Sequence, residues 1–191
     1  CLRDVLRETK PKDWDIATNG TPEQIMPLFE HSFYENTFGT VGVVNDAVED
    51  ETLKTLEITT YRLETGYSNR RHPDSVSFST KLEDDLKRRD FTINAMAYDP
   101  KAEKFVDLFD GLKDIGEGVL RAVGNPDQRF KEDALRLLRG VRLATELTFV
   151  IEPETEKSIV KNAHFLAEIS KERIRDEFVR ILTSPNPLEG I

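Results

Sequence analysis

The sequence contains one cysteine and no long apolar run, and these absences exclude two classes of protein. One cysteine cannot form a disulfide within the chain, which excludes a small secreted domain held together by disulfides. No apolar stretch approaches the roughly 20 residues that cross a bilayer, and the first residues show neither the basic nor the apolar region of a signal peptide. We therefore expect a cytoplasmic protein with no membrane role. Its 191 residues, 38% hydrophobic and 33% charged, suit one globular domain or two small ones.

The chain has fewer basic than acidic residues, but its basic residues are clustered. The net charge of −9 argues against non-specific binding of nucleic acid through the total charge. Cations concentrate at residues 69–72, at residues 87–89 and along residues 129–142. The second cluster meets one acid, Asp90, and then passes into helix-like small and apolar residues up to residue 97, a pattern that favours a polyanion site. The three isolated histidines, for which we expect no metal role, are His31, His72 and His164.

Strand and helix signals mix over the first hundred or so residues, and helix signals dominate after residue 118. The sequence Thr21-Pro22-Glu23-Gln24 has the form of a capping box and predicts a helix start. Residues 64–80 lack a sustained period, so we expect a mobile loop, and we predict a boundary near residues 111–118. Strands are predicted from residue 13 to the Asn19-Gly20 turn and at residues 38–44 and 53–62, the last two as a hairpin, and a short strand and turn are predicted at 105–111. Helices are predicted from residue 81 and at 130–148, about 154–166 and 170–183.

Three acidic residues on two predicted strands could form a metal site. Asp13 and Asp15 are two apart, so a strand would point both carboxylates to one face while Trp14 packs into the core. In the second strand, Glu57 points away from the apolar face that contains Ile58. Hard divalent cations with oxygen ligands can neutralise such carboxylates and assist phosphoryl displacement. The alternative is an acidic turn in solvent beside an ordinary strand residue.

The predicted helix at residues 130–148 has an apolar face and a charged face. Asp133 and Arg136 are three apart, and an exposed ion pair between them is one interpretation. The other interpretation is that this acceptor and planar donor match the edge of a nucleobase, while Arg139 and Arg142 hold phosphates. Spacing alone leaves both open.

Five motifs in this order resemble those of the class II tRNA nucleotidyltransferases, the family of CCA-adding enzymes, whose superfamily also contains bacterial poly(A) polymerases. The motifs are residues 13–18, 88–97, 106–111, 129–136 and 169–174, and they extend over nearly the whole chain. The resemblance implies an α+β fold: a polymerase-beta-like nucleotidyltransferase head, with a mixed sheet and flanking helices, over residues 1–115. An all-α neck for nucleotide recognition is expected at residues 116–191. The implied reaction is template-independent addition of C, C and A from CTP and ATP to the tRNA 3′ end, with release of pyrophosphate.

The resemblance also assigns roles to individual residues. It implies that Asp13 and Asp15 bind Mg²⁺ and that Glu57 is the third catalytic carboxylate. Residues 107–111 resemble the hinge between head and neck, and residues 64–73 resemble the flexible element linked to addition of the terminal A. The implied nucleotide contacts are Arg3 with the phosphates, Arg89 and Asp90 with the ribose, Asp133 and Arg136 with the base, and Arg139 and Arg142 with the base site and triphosphate.

Two departures from the family pattern affect what is expected. The two glycines that normally precede the motif at Arg3 are missing, and the chain stops within what looks like the neck. We therefore expect a fragment that lacks the body and tail with which the family grips tRNA. The alternatives within the same chemistry are a poly(A) polymerase and an enzyme that adds only CC or only A. A non-catalytic RNA-binding module is the alternative from another class, and the three acids disfavour it.

Overall fold

A computed structural model describes residues 1–35, 38–67 and 73–191. These residues divide into two compact units, one formed by residues 1–64 and 75–88 and the other by residues 65–74 and 89–191. The α-helices are α1 (Leu2–Leu6), α2 (Pro22–Ile25), α3 (Leu82–Lys87), α4 (Gly111–Glu117), α5 (Pro126–Glu132), α6 (Leu135–Leu147), α7 (Pro153–Asn162) and α8 (Lys171–Leu182). The strands are β1 (Asp15–Thr18), β2 (Ser32–Tyr34), β3 (Thr40–Val44), β4 (Thr55–Thr60), β5 (Arg62–Thr65), β6 (Ser75–Phe78), β7 (Met96–Asp99), β8 (Lys104–Asp107), β9 (Val119–Leu120) and β10 (Val150–Ile151). Among the described residues, none of these helices combines the length and apolar character needed to cross a bilayer.

The first unit contains a mixed sheet of four strands in the order β1-β4-β3-β2. Strands β1 and β4 are parallel, whereas β3 pairs with both β4 and β2 in antiparallel fashion. One face is apolar because Val41, Val43 and Ile58 project to it, and this face packs against Ile25 of α2. The capping box is formed, since the Gln24 side chain accepts a hydrogen bond from the Thr21 N–H at 2.9 Å. The predicted hairpin and helix start are confirmed.

Two predictions for the first unit are wrong. Trp14 is only half-buried and donates a hydrogen bond to Thr52, because the strand begins at Asp15 and not before Trp14. The predicted loop at residues 64–80 contains most of a β-ribbon, in which β6 pairs with β5. Its signal was hidden because Val76 and Phe78 alternate with serines over only four residues. The cluster at residues 69–72 lies outside the described residues.

The second unit is mainly helical, but short strands interrupt the predicted helices. Strands β7 and β8 form an antiparallel pair where a helix was predicted to continue from residue 81, and β9 pairs with β10 in a region predicted to be all helix. The predicted helix at 130–148 is also wrong as a single element. Asp133 has extended backbone angles (φ −138°, ψ 108°) and separates α5 from α6. The helix predicted at 170–183 is confirmed as α8, and the core that these elements enclose includes Phe91, Ile93, Leu120, Phe130 and Leu137.

Gly111, the first residue of α4, allows a close approach between two segments of the second unit. A Cβ atom added there would lie 2.3 Å from the main-chain oxygen of Thr92 and 2.9 Å from the Met96 sulfur. We expect Gly111→Ala to lower the free energy of unfolding by about 1–3 kcal/mol, because the backbone must shift to accept the methyl group. Gly116→Ala in the same helix is the matched control, since nothing lies within 4 Å of its added Cβ.

Chemical denaturation of the two variants tests this account. Gly116→Ala should raise the stability by about 0.5–1 kcal/mol, because alanine has the higher helix propensity. Equal effects of the two substitutions would contradict the role assigned to the close contact at Gly111.

Candidate functional site

Two carboxylates lie side by side on the polar face of the first unit's sheet. Asp15 is the register partner of Glu57 in the parallel pair of β1 and β4. Register partners in a sheet point to the same face, and the opposite face is the one that packs Ile58 into the core. The sheet therefore brings together two of the three acids predicted from sequence, although they are 42 positions apart in the chain.

Asp13 precedes β1, yet its carboxylate converges with that of Asp15. The main-chain nitrogen of Cys1 lies 3.8 Å from Asp13 Oδ1 and 3.7 Å from Asp15 Oδ2. The two side chains are 73% and 52% exposed, so both are open to a solvated ligand. One oxygen of each carboxylate thus lies within 4 Å of the same nitrogen atom, which places the two side chains near each other. This spacing is longer than the roughly 2.0–2.6 Å at which a hard cation is ligated, so the two side chains must move closer together to share one cation.

Glu57 lies near three other carboxylates, and one of them, Glu35, was not predicted from the sequence. Partial burial raises the pKa of Glu57, and the charge of Glu35 raises it further. Asp15 and Asp13 act in the same direction. Glu35 follows β2 directly and its N–H donates to the Thr40 carbonyl, so this fourth carboxylate belongs to the same face. The sequence signal for Glu35 was the alternation of side chains along β2, and a strand of three residues is too short for this alternation to be recognised.

The cluster of carboxylates in the first unit does not by itself have the geometry of a metal site. Among residues 1–35, 38–67 and 73–191, no group of three or more histidine, cysteine, aspartate or glutamate side chains has the arrangement of a metal site. Oxygen donors nevertheless fit a hard divalent cation, and the convergence of Asp13 with Asp15 supplies two of them. The third predicted acid, Glu57, is next to this pair in the sheet.

Arg3 lies in α1 of the same unit and forms a local ion pair. Its Nε and Nη2 atoms donate to Asp4 Oδ1 at 2.9 and 2.7 Å. Both side chains are largely covered, with 22% and 14% of their surface exposed. A phosphate contact by Arg3 stays a prediction.

In the second unit, the buried carboxylate of Asp90 forms an ion pair with the partly exposed Arg139. Arg139 Nη2 and Nε donate to Asp90 Oδ2 at 2.6 and 3.0 Å. Asn94 and the Phe91 N–H both donate to Asp90 Oδ1. Burial by itself would raise the pKa of Asp90, but the charge of Arg139 and these hydrogen bonds outweigh it and hold the pKa well below its usual range. Two predicted nucleotide-binding residues thus contact each other across 49 positions of sequence.

The lowered pKa of Asp90 leads to a pH-dependent prediction for stability. The unfolded carboxyl titrates near pH 3.9, and the folded one titrates at lower pH, so the ion pair stabilises the protein fully above about pH 5. This stabilisation is lost as the pH falls toward the folded pKa. We expect Asp90→Asn to lower the free energy of unfolding by about 2 kcal/mol at pH 7, a discounted value because Arg139 is 35% exposed.

Denaturation of the wild type and the Asp90→Asn variant at several pH values checks this. The difference between them should shrink below about pH 4. The matched control is Asp176→Asn, which removes an exposed ion pair with Arg175 and should change little. A difference that grows on acidification would contradict the assigned sign.

The residues predicted to read the base, Asp133 and Arg136, have partners other than each other. Asp133 lies at the start of α6, where its Oδ1 accepts from the Leu135 N–H at 3.0 Å and its Oδ2 from Arg173 at 3.2 Å. Arg136 donates to Glu132 at 2.8 Å. The ion pair between these two side chains, one of the two interpretations of their spacing, is therefore not formed, because Asp133 is extended and lies before the helix that carries Arg136. Both side chains are partly exposed, so they present an acceptor and a donor within one turn of the chain.

Arg142 is the most buried of the predicted nucleotide-binding residues. Its side chain is 3% exposed, and it donates to Glu177 at 2.5 Å and to Glu146 at 2.7 Å. The contact with Glu177 joins α6 to α8, whereas Glu146 lies one turn further along α6 itself. A direct contact with a nucleotide by Arg142 stays a prediction, and its observed contacts are those of a residue that positions the helix.

Arg89 and the motif at residues 107–111 both belong to the second unit. Arg89 is half-buried and directly precedes Asp90. In the motif, Asp107 accepts hydrogen bonds from the N–H groups of Phe109, Gly111 and Leu112, so its carboxylate organises the turn into α4. These bonds describe a well-defined turn, and the hinge role stays a prediction.

Comparison with known families decides to which family this arrangement belongs. Residues 1–121 match a family described as the poly(A) polymerase head domain. The chain belongs to the poly(A) polymerase head-domain family. Residues 148–191 match a second family, described as a probable RNA- and SrmB-binding site of polymerase A. The resemblance to the tRNA nucleotidyltransferase and poly(A) polymerase family is thereby confirmed.

Several curated and solved relatives of this head-domain chain are named CCA-adding enzymes. The CCA-adding enzyme of Ligilactobacillus salivarius is 46% identical over 191 residues, which are 100% of this chain and 46% of that protein. The CCA-adding enzyme of Limosilactobacillus reuteri is 44% identical over 192 residues, with the same coverage. The Bacillus stearothermophilus CCA-adding enzyme in complex with CTP has a TM-score of 0.86 at 39% identity and covers 99% of this chain and 44% of its own. The Thermotoga maritima CCA-adding enzyme complexed with tRNA has a TM-score of 0.77 at 28% identity, covering 99% of this chain and 43% of its own.

These comparisons also bear on the fold class and the length. The mixed sheet with flanking helices and the likeness to solved CCA-adding enzymes confirm the α+β prediction with a polymerase head. The chain spans about half the length of the curated relatives it matches. The head-domain match includes the carboxylates of the first unit, whereas residues 133–142 lie between the two family matches. The division into residues 1–115 and 116–191 stays a prediction.

Proposed function

We propose that this chain carries the catalytic head of an enzyme that adds C, C and A from CTP and ATP to the 3′ end of tRNA and releases pyrophosphate. The observation that carries the proposal is the placement of Asp15 beside Glu57 with Asp13 converging on Asp15, in a chain of the poly(A) polymerase head-domain family. Relatives named CCA-adding enzymes support the choice of tRNA, CTP and ATP.

In this proposal, the carboxylates of the first unit promote transfer of a nucleotidyl group. The 3′-oxygen of the RNA attacks the α-phosphorus of the nucleotide, the bond from this phosphorus to the bridging oxygen breaks, and pyrophosphate leaves. Asp13 and Asp15 would hold Mg²⁺, which when bound supplies positive charge that stabilises the phosphates. Glu57 accepts the proton of the attacking hydroxyl, a task for which its raised pKa makes it a better base.

The second unit supplies the contacts that choose the nucleotide. Asp133 accepts from the Watson–Crick edge of the base, and Arg136 donates to it. Asp133 is already bound to Arg173, so the base must share or replace that partner. A wrong base would leave these groups without hydrogen bonds, and such a loss makes a strong filter in a covered site.

The remaining residues position the sugar and phosphates. Arg89 and Asp90 lie at the ribose, and Arg139 holds Asp90 ionised through their ion pair. Arg3 and Arg142 complete the set, at the triphosphate and behind the base site respectively. In the same proposal, residues 1–115 form the head, residues 116–191 the neck, residues 107–111 the hinge, and the enzyme is cytoplasmic.

A second candidate is a poly(A) polymerase, which the description of the head-domain family favours. The two functions differ in product, since a polymerase adds a long run of A and the tRNA enzyme stops after one. Enzymes that add only CC or only A would stop earlier or need a different acceptor. A non-catalytic RNA-binding module would incorporate nothing.

The decisive test uses tRNA transcripts that end before CCA, after CC, or after CCA, each incubated with CTP and ATP separately and together. It is done with the protein as encoded, including any sequence that flanks residues 1–191. We expect CC on the first transcript with CTP alone, CCA with both nucleotides, a single A on the second, and no addition to the third. A ladder of A would indicate the polymerase, and absence of any incorporation would overturn the proposal.

A further inference from the structure

An exposed aromatic ring lies in the same row of the sheet as the catalytic carboxylates. The register partners across β2, β3, β4 and β1 are Phe33, Gly42, Glu57 and Asp15. Residues in one row project to the same face. Glu35, two residues after Phe33, supports this independently, since its charge acts on Glu57. Phe33 therefore belongs to the carboxylate face, and 46% of it is exposed to solvent.

Gly42 lets this ring reach across the sheet toward Glu57. A Cβ added at Gly42 would lie 2.3 Å from Cζ of Phe33, and 2.7 and 2.8 Å from its Cε2 and Cε1. The outer edge of the ring thus occupies the space of a side chain on β3. Because strands in a sheet are about 4.8 Å apart, the ring edge is one strand away from Glu57. Any side chain at position 42 would occupy the space of the Phe33 ring, so the position of this ring depends on the glycine.

We propose that Phe33 is a stacking platform for the terminal base of the acceptor RNA. This inference rests on the proposed function and extends it to the way in which the first unit holds the RNA. A nucleobase binds an exposed aromatic face regardless of its identity, because every base has a π-face. Such tolerance suits an acceptor whose last base changes with each addition.

The base that stacks on Phe33 is assigned to the acceptor RNA and not to the incoming nucleotide, because the 3′-oxygen of the RNA and the incoming base have different partners. The 3′-oxygen of the acceptor has to reach Glu57, and the base on the same sugar then lies beside the row that holds Phe33. The incoming base has its own donor and acceptor at Asp133 and Arg136 of the second unit. An aromatic ring without hydrogen-bonding groups adds no selection among nucleotides, whereas it can hold any RNA end.

The test compares Phe33→Leu with Tyr34→Leu. Tyr34 is the matched control, because it is the next residue of the same strand, is also 46% exposed, and projects to the opposite face. With tRNA transcripts ending before CCA and after CC, Phe33→Leu should raise KM for the transcript about tenfold or more. The KM for CTP or ATP, and kcat at saturating transcript, should change less than twofold. Tyr34→Leu should leave all of these unchanged.

Two further variants separate stacking from damage to the sheet. Phe33→Trp retains an aromatic face and should keep KM for the transcript near or below the wild-type value. Gly42→Ala displaces the ring without removing it and should raise KM for the transcript as Phe33→Leu does. Thermal unfolding of each variant checks that the fold is retained. A rise in KM for the nucleotide instead of the transcript, or no change in either, would overturn the proposal.

Direct binding of a fluorescently labelled transcript distinguishes failure of this inference from failure of the proposed function. Weaker binding by Phe33→Leu in a protein that incorporates no nucleotide would support the platform and reject the enzyme. Incorporation that proceeds normally in Phe33→Leu, with unchanged transcript binding, would reject the platform and leave the enzyme intact.

Discussion

Asp15→Asn should reduce nucleotide addition by about a thousandfold or more, because the variant loses one of the two carboxylates that converge on the proposed cation position. Asp13→Asn should have an effect of the same order. Both side chains are more than half exposed, so neither change opens a cavity or strands a buried charge. The loss should therefore appear in the rate of the chemical step, measured by single-turnover incorporation of CTP, and not in the stability of the protein.

The matched control is Asp46→Asn. Asp46 is an exposed aspartate in the connection between β3 and β4, outside the two strands that bear Asp15 and Glu57, and its substitution removes the same charge from the first unit. We expect near-normal rates for this variant. A near-normal rate for Asp15→Asn, or an equal loss in Asp46→Asn, would remove the basis for the metal-binding role.

Asp133→Ala should relax discrimination among the four nucleotides more than it weakens nucleotide binding. A site that uses hydrogen bonds to recognise its substrate can reject an analogue by about 10⁴-fold or more, and removing the acceptor should lower this ratio by at least about 10²-fold. The ratio is measured as kcat/KM for CTP or ATP relative to UTP and GTP. Unchanged selectivity would count against the base-reading role of Asp133.

Asp133 also has structural contacts, and two variants separate these from base recognition. Asp133→Asn keeps an oxygen that can accept from the Leu135 N–H but adds a donor, so it should alter selectivity while the start of α6 is preserved. Arg173→Gln breaks the ion pair with Asp133 and leaves its carboxylate available for a base. Selectivity should be retained in Arg173→Gln. A loss of selectivity in Arg173→Gln equal to that in Asp133→Ala would assign the effect to the ion pair.

The carboxylate site could be predicted in part, because alternation along a strand shows which side chains point to the same face of that strand. Alternation around Ile58 showed that Glu57 points away from the core, and the structure bears this out. The local sequence pattern could not show that β1 and β4 are neighbours, since their pairing depends on contacts between residues that are 42 positions apart in the chain. Phe33 and Glu35 were missed because β2 has only three residues, too few for a recognisable pattern.

The second unit shows a different limit. The helical period through residues 130–148 continues across Asp133, and only its extended backbone reveals two helices. This break changes what Asp133 does, because a side chain that precedes α6 can accept from the free N–H of Leu135 in its first turn, whereas within a continuous helix that N–H would be bonded to a main-chain carbonyl. The contact between Asp90 and Arg139 joins two motifs whose roles were inferred separately. No local pattern predicts such a pair, since it arises when α6 packs on the segment that contains Phe91.

The central claim is that the first unit's carboxylates promote addition of a defined number of nucleotides to an RNA 3′ end. The most direct measurement counts the pyrophosphate released per tRNA transcript when CTP and ATP are both in excess. The account predicts one pyrophosphate for each nucleotide of CCA that the transcript lacks, none from a complete transcript, and none from any transcript with Asp15→Asn. Release that continues past this count, or release that persists in Asp15→Asn, would contradict it.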